Sequence, residues 1–311
     1  MALKVESTMS RPLSEMIGRV VAGRYRLDGL LARGGVGAVY SAEHLPSKTQ
    51  VAVKMLLPGL AHAALIAERF RREAKATSLL DHPNVVEVLD LVAEQDNLYL
   101  VMELVRGRSV GELMDSGPLS VRRALVITRQ ALEGLSCAHS NGMIHRDIKS
   151  ENLMLVQIGD CGHEHERVKI LDFGLVKLVG DAVGEVGGAK LTQTGVVFGT
   201  PAYIAPEQAL GRVVDHRVDL YSLGVVLFEM LTGRTPFRSP DPATLLRMQV
   251  SAPIPTLASV VPGRPWCTSL LEQLIARALA KHPDQRFADA TEMIAALDAA
   301  FRSLDHLPAG L

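Results

Sequence analysis

The stretch Ile144-His145-Arg146-Asp147-Ile148-Lys149-Ser150-Glu151-Asn152 decides how the rest of the chain is read. It offers a carboxylate, an ammonium and a carboxamide within a few residues. Downstream, Leu171-Asp172-Phe173-Gly174 supplies a second acid. Upstream, Leu31-Ala32-Arg33-Gly34-Gly35-Val36-Gly37-Ala38-Val39 is glycine-rich, and Lys54 follows inside the apolar run Val51-Ala52-Val53-Lys54-Met55-Leu56. Glycines let backbone N–H groups approach phosphate oxygens without a Cβ in the way.

A base for an attacking hydroxyl, carboxylate and amide oxygens for Mg²⁺, and a lysine for phosphates are the groups that phosphoryl transfer needs. In this order the set resembles a protein kinase of the serine/threonine class, in particular the eukaryotic-like kinases of bacteria, from Tyr25 to Phe301. The resemblance implies an α+β, two-lobed kinase fold. A β-rich N-lobe with one major helix would span 25–105, and a mainly α-helical C-lobe 106–301. Residues 1–24 would be a loose lead-in and 302–311 a tail. ATP with Mg²⁺, or Mn²⁺ as an alternative ion, would sit in the cleft between the lobes.

The same resemblance assigns roles residue by residue. Leu31, Ala32, Arg33, Gly34, Gly35, Val36, Gly37, Ala38 and Val39 would form the loop over the phosphates. The family pattern is Gly-x-Gly-x-x-Gly-x-Val, and this chain departs from it with Ala32 at the first glycine. Lys54 would hold the α- and β-phosphates, paired with Glu73 of a following helix. An isolated lysine in an apolar strand reads instead as a snorkelling edge residue; its spacing from Gly37 favours the phosphate role. Ala52 joins the nucleotide-binding set. Met102 would be the gatekeeper, and Glu103 to Val105 would offer backbone groups to adenine. Asp147 would orient the acceptor hydroxyl and take its proton, Lys149 would neutralise the transferring phosphoryl group, and Asn152 and Asp172 would ligate the metal. The form Asp-x-Lys-x-x-Asn points to serine or threonine as acceptor.

Composition sets wider bounds. At 311 residues, 48% hydrophobic and 22% charged, the chain has the means to bury a sizeable core. Lys plus Arg (33) nearly balance Asp plus Glu (34), so no global field argues for nucleic acid or a membrane surface. Three scattered cysteines, Cys137, Cys161 and Cys267, make no disulfide framework and fit a reducing cytosol. The N-terminus has no apolar core of a signal peptide, and no apolar run reaches the ~20 residues of a membrane span. A cytoplasmic location is expected.

Periodicity places the motifs. Strands are expected at Tyr25–Leu31, Gln50–Leu56, Val85–Ala93 and Asn97–Leu104, and a helix over Leu65–Leu80 ended by Pro83. Beyond the lobe boundary, a helix runs from Ser120 to His139, whose Cys137 and His139 read as structural. Short strands Leu153–Val156 and Val168–Leu171 flank a polar insertion, 157–167. Its Cys161, His163 and His165 fall short of the usual four zinc ligands, so an exposed hairpin loop is expected. The activation segment runs from Asp172 to Glu207. The glycine- and valine-rich half, 180–188, should be mobile. Thr192 and Thr194 are candidate phosphorylation sites for pairing with Arg146, and Thr200 reads as structural. Val214–Leu231 is an apolar helix whose Asp219 would brace the catalytic loop and cap the helix. Glu207 and Arg286 match the family's buried ion pair. Asp289 and Glu292 read as a capping box opening a last helix through Phe301.

The expected partners are protein substrates with Ser/Thr acceptors, and a transient homodimer for phosphorylation of one copy by another. A small-molecule phosphotransferase of related fold is the first rival; Thr200 and Ala205-Pro206-Glu207, parts of a peptide platform, argue against it. A pseudokinase acting as an ATP-binding interaction module is the second, supported by Ala32 alone.

Overall fold

The structure, a computed structural model, describes residues 13–34, 37–56, 64–94, 97–158, 166–173 and 201–306. Gly35, Val36, the Glu73 side chain, Cys161, His163, His165, Gly174, Thr192, Thr194 and Thr200 lie outside the described residues, as do 1–12, 180–188 and 307–311. The chain divides into two units, Met1–Ser78 with Glu87–Leu104, and Leu79–Val86 with Val105–Leu311.

The first unit is built on β1 (Val20–Val21), β2 (Tyr25–Arg33), β3 (Gly37–His44), β4 (Thr49–Leu56), β5 (Val88–Glu94) and β6 (Asn97–Glu103). They form one antiparallel sheet in the order β1-β2-β3-β4-β6-β5. Alternation along each strand splits the side chains between two faces. Leu27, Tyr40, Val53, Tyr99 and Val101 share one apolar cluster. The register Val39↔Lys54 and Ala52↔Met102 puts the other set on the opposite face. Helix α1 (Ala64–Thr77) packs against β5 and buries Phe70 and Ala74. At Gly37, a Cβ would come within 2.3 Å of the Met55 carbonyl oxygen, so the sheet itself demands glycine there.

Residues 13–24 are not a loose lead-in. A 3₁₀ turn at Leu13–Met16 leads into β1, which pairs Val20 with Arg26 and Val21 with Tyr25. Gly18 N–H donates to the Leu27 carbonyl at 2.7 Å, and Leu27 N–H to the Arg19 carbonyl at 2.9 Å. Met16 and Val21 complete the apolar cluster on the sheet. No periodicity announces this, because the segment is too short to show one.

The second unit carries a small sheet, β7 (Arg108–Ser109), β8 (Leu153–Gln157) and β9 (Glu166–Ile170), in the order β7-β8-β9. Its helices are α2 (Val110–Met114), α3 (Val121–Ser140), α4 (Pro206–Ala209), α5 (Arg217–Thr232), α6 (Pro242–Ser251), α7 (Leu257–Val260), α8 (Ser269–Ala278) and α9 (Ala290–Ser303). Helix α3 starts at a Ser120 cap and buries Ala124, Leu125, Ile127, Thr128, Ala131, Leu132 and Leu135 at helical spacing. Helix α5 is buried along most of its length and stops at Gly233, which takes φ 73°. Gly224 in α5 lets α8 approach; a Cβ there would meet that of Ala278 at 2.8 Å.

Three boundaries differ from expectation. Val85 and Val86 leave the first sheet for β9: Val86 N–H donates to the Ile170 carbonyl at 3.0 Å, and Ile170 N–H to the Asn84 carbonyl at 2.9 Å. The strand expected from Val85 therefore starts at Val88, and 79–86 belong to the second unit. The hairpin β8–β9 takes up both ends of the expected insertion, pairing Gln157 with Glu166. At the C-terminal end, α9 runs to Ser303 and buries Leu304, so 302–306 are not a tail. Asp289 caps α9, but Glu292 accepts from Ala288 N–H at 2.7 Å, one residue before the cap residue's own N–H.

Burial of Met16 makes the N-terminal turn a stability element. Met16→Ala should lower the unfolding free energy by about 2–5 kcal/mol, read from denaturant unfolding; an unchanged midpoint would mean that the turn adds nothing to the sheet.

Candidate active site

In the first unit, β2 and β3 meet in a hairpin in which Gly34 N–H donates to the Gly37 carbonyl at 2.8 Å. Leu31, Ala32, Arg33 and Gly34 are exposed and Ala38 is buried. Lys54 is only 6% exposed and shares its sheet face with Val39, Ala52 and Met102. At the end of β6, Glu103 N–H is committed to the Glu87 carbonyl at 3.0 Å, and its carboxylate accepts from Glu87 N–H at 2.9 Å. Glu73 lies on α1, and the expected pairing of its side chain with Lys54 falls outside the described residues.

In the second unit, the loop from Met143 to Lys149 joins α3 to the turn before β8, and two residues, one outside it and one within it, dictate its path. The first is Asp219, in the opening turn of α5 and 0% exposed. Its carboxylate accepts from His145 N–H at 2.8 Å, Arg146 N–H at 2.7 Å and the His139 imidazole at 2.8 Å. Arg146 takes φ 66°, a left-handed conformation that costs a side-chain-bearing residue of order 1–3 kcal/mol. Two charge-assisted bonds on adjacent N–H groups offset that cost. His139, read as structural from the sequence, is thus the third donor to the same carboxylate.

The second is His145 of the loop itself, a residue with no expected role from its sequence pattern. Asp147 N–H donates to its Nδ1 at 3.2 Å, so the proton must sit on Nε2, which donates to the Leu171 carbonyl at 2.7 Å. One buried neutral imidazole therefore ties Asp147 to the residue before Asp172. Its ring packs on Phe173 at 4.7 Å between centroids. Leu171 N–H donates to the Asn152 carbonyl at 2.9 Å, closing the link from the other side. Asp172 itself takes φ 59°.

Asp147, Lys149, Asn152 and Asp172 are thereby assembled on two cross-linked loops of one unit. The Lys149 ammonium lies 3.5 Å from Asp147 Oδ2. Asn152 Nδ2 donates to the Asp147 carbonyl at 2.9 Å and lies 3.4 Å from its Oδ2. With its NH₂ so engaged, the Asn152 side-chain oxygen is the atom that a cation at this loop would meet. An amide oxygen and a carboxylate are hard donors that fit a small divalent cation completed by phosphate oxygens and water. No cluster of three His, Cys, Asp or Glu ligands occurs among the described residues.

Beyond the loop, Ser150 Oγ lies 2.9 Å from the Tyr203 hydroxyl, which donates to Glu229 Oε2 at 2.7 Å. Burial pushes the Tyr203 hydroxyl well above its ordinary value and the adjacent Glu229 charge adds to this, so the phenol stays protonated and donates. Burial likewise raises the Glu229 carboxyl. Gln208 Nε2 donates to the Arg146 carbonyl at 3.2 Å. Glu207 and Arg286 form a buried bidentate pair at 2.6 and 2.7 Å. The remaining Arg286 N–H groups reach the carbonyls of Arg217, Ala280 and Lys281.

Residues 25–297 match the family described as "Protein kinase domain". This chain belongs to the protein kinase family. It is 40% identical over 294 residues to serine/threonine-protein kinase pkn2 of Myxococcus xanthus, covering 94% of this chain and 34% of that protein. It is 35% identical over 287 residues to PrkC of Bacillus subtilis, covering 92% and 42% respectively. PknA of Mycobacterium tuberculosis is 38% identical over 296 residues, 91% of this chain and 64% of PknA. The chain thus spans from about a third to under two thirds of these relatives. Among solved structures, the kinase domain of Mycobacterium tuberculosis PknI aligns with TM-score 0.69 and 27% identity, over 91% of this chain and 98% of that one. Membership in the family implies use of ATP and a divalent metal ion. Among the described residues no helix is long and apolar enough to cross a membrane.

Asp219 sets the loop. Asp219→Asn puts an NH₂ against a backbone N–H, so the unfolding free energy should fall by about 2–4 kcal/mol. The His145 and Arg146 amides should also exchange faster with solvent deuterium. Native stability with both amides still protected would mean that other contacts hold the turn.

Proposed function

We propose that this chain transfers the γ-phosphoryl group of ATP to serine or threonine hydroxyls of proteins. The observation that carries the proposal is the assembly of Asp147, Asn152 and Asp172 on two loops joined through His145. Its relatives named serine/threonine-protein kinases support the same reading.

In this mechanism Asp147 accepts a hydrogen bond from the acceptor hydroxyl and aims its oxygen at the γ-phosphorus. The bond from that oxygen to phosphorus forms as the bond between phosphorus and the β,γ-bridging oxygen breaks. ADP leaves, and the hydroxyl proton passes to Asp147. Lys149 offsets charge on the transferring group, and Lys54, fixed by Glu73, holds the α- and β-phosphates. Residues 31–39 cover the phosphates. Ala52, Met102, Glu103 and Val105 serve the adenine end. Asn152 and Asp172 would hold Mg²⁺, with Mn²⁺ as a substitute; the bound ion would neutralise phosphate oxygens. The chemistry is mostly positioning and electrostatics, so the side chains act through where they are held.

Phosphorylation at Thr192 or Thr194, by a second copy in a transient homodimer, would add a charge for the Arg146 guanidinium. A reaction that consumes ATP favours the cytoplasm, where nucleotide is supplied. The test is mass spectrometry of the purified chain after incubation with ATP and Mg²⁺, beside Asp147→Asn. Phosphate should appear on Thr192 or Thr194 of the wild type, with transfer about 10²–10⁴-fold slower in Asp147→Asn. Chelation of divalent ions should stop it, and Thr192→Ala with Thr194→Ala should lower transfer to other proteins. ATP binding without transfer to any acceptor would turn the reading to an ATP-binding interaction module.

A further inference from the structure

The segment Pro201-Ala202-Tyr203-Ile204-Ala205 leads into α4, and in the proposed function it is part of the platform on which a protein acceptor lies. What holds it at the Pro201 end is Gln249, a residue outside the motifs quoted above. Gln249, on α6, is a polar side chain that is 0% exposed. Its Nε2 donates to the carbonyls of Pro201 and Ala202, and its Oε1 accepts from the Tyr221 hydroxyl of α5 at 2.6 Å.

The bonding pattern leaves one orientation for this amide. Carbonyl oxygens only accept, so the NH₂ must face the segment. The Tyr221 hydroxyl, in donating to Oε1, locks that choice. Burial pushes the Tyr221 hydroxyl far above its ordinary value, so it remains a donor. The backbone of α6 at this point is held in turn, because Lys281 Nζ donates to the carbonyl of Gln249 itself at 2.7 Å and to that of Met248 at 3.3 Å. At the next residue of the segment, Ser222 Oγ donates to the Tyr203 carbonyl at 2.8 Å, and the Tyr203 hydroxyl reaches Glu229. Three consecutive carbonyls, those of Pro201, Ala202 and Tyr203, are therefore tied to side chains of α5 and α6. A fully buried amide is tolerated only where its polar groups are met, and both contacts of this NH₂ are made to one strip of backbone.

From this we infer that Gln249 is a positioning residue for the protein acceptor. Through the Pro201 and Ala202 carbonyls it fixes the acceptor-binding segment, and Tyr221 orients it. The inference rests on the phosphotransfer reading above. It assigns α6 a part in acceptor affinity that is separate from ATP binding and from the groups around Asp147.

The test uses the full chain as enzyme and its Asp147→Asn copy as the protein acceptor. Gln249→Leu removes both donors at similar volume and should raise KM for the acceptor about tenfold, the scale of one buried hydrogen-bonding group. KM for ATP and the slow hydrolysis of ATP without acceptor should stay within about twofold, a factor too small for a lost hydrogen bond. Tyr221→Phe keeps the donors but frees the amide, so it should fall between wild type and Gln249→Leu. An unchanged acceptor KM, or a parallel loss of ATP turnover and thermal stability, would overturn the assignment. Hydrogen–deuterium exchange of the amides in 201–205 separates this from failure of the phosphotransfer reading. If the wild type transfers no phosphate, faster exchange in Gln249→Leu still supports the brace, and unchanged exchange removes it.

Discussion

The Asp219 carboxylate is the constraint on which the second unit's site depends. A buried charge is tolerated only where hydrogen bonds replace its lost hydration. Asp219 has three, from His139, His145 and Arg146. In meeting its own need it fixes two consecutive N–H groups of the loop before Asp147 and holds Arg146 in a left-handed conformation. The interaction that stabilises the charge is also the one that shapes the loop. Because Asp219 opens a helix buried along most of its length, the anchor is as rigid as the core around it.

From that anchor, order passes outward by short polar links. His145 carries it to the residue before Asp172, through a tautomer that its two neighbours leave no freedom to change. Ser150, Tyr203 and Glu229 carry it toward the segment before α4, and Gln249 and Ser222 hold that segment's backbone. The Glu207–Arg286 pair closes the far side. Removing one partner of such a buried pair costs more than never having had it, because the other charge is left without hydration or partner. Catalysis by placement requires this kind of support, since a donor or base displaced by about 1 Å loses most of its effect.

Much of this was legible in the residues, but unevenly. Asp147, Asn152 and Asp172 are close in sequence or set in short fixed patterns, so they could be proposed as one site from the pattern alone. Asp219 and the Glu207–Arg286 pair were found the same way, by likeness to a family. The roles of His145 and Gln249 were not read, because neither depends on residue type alone. His145 matters through the carbonyl of Leu171, and Gln249 through carbonyls far away in sequence; a backbone carbonyl looks the same under every side chain. Residues 13–24 and 79–86 were misplaced for a related reason. Val85 and Val86 have the alternation of a first-sheet strand, and only the competition for partners sends them to β9.

The sequence by itself determined the class of fold and the set of reactive groups. Both are written in local terms, as periodicity of apolar residues and as short motifs whose spacing survives any packing. Tertiary structure decided which buried polar group satisfies which backbone group, and hence the path of each loop. Those choices follow from long-range pairing inside a core where an unmet donor or acceptor is costly, a condition imposed by all the neighbours together rather than by any one stretch of chain.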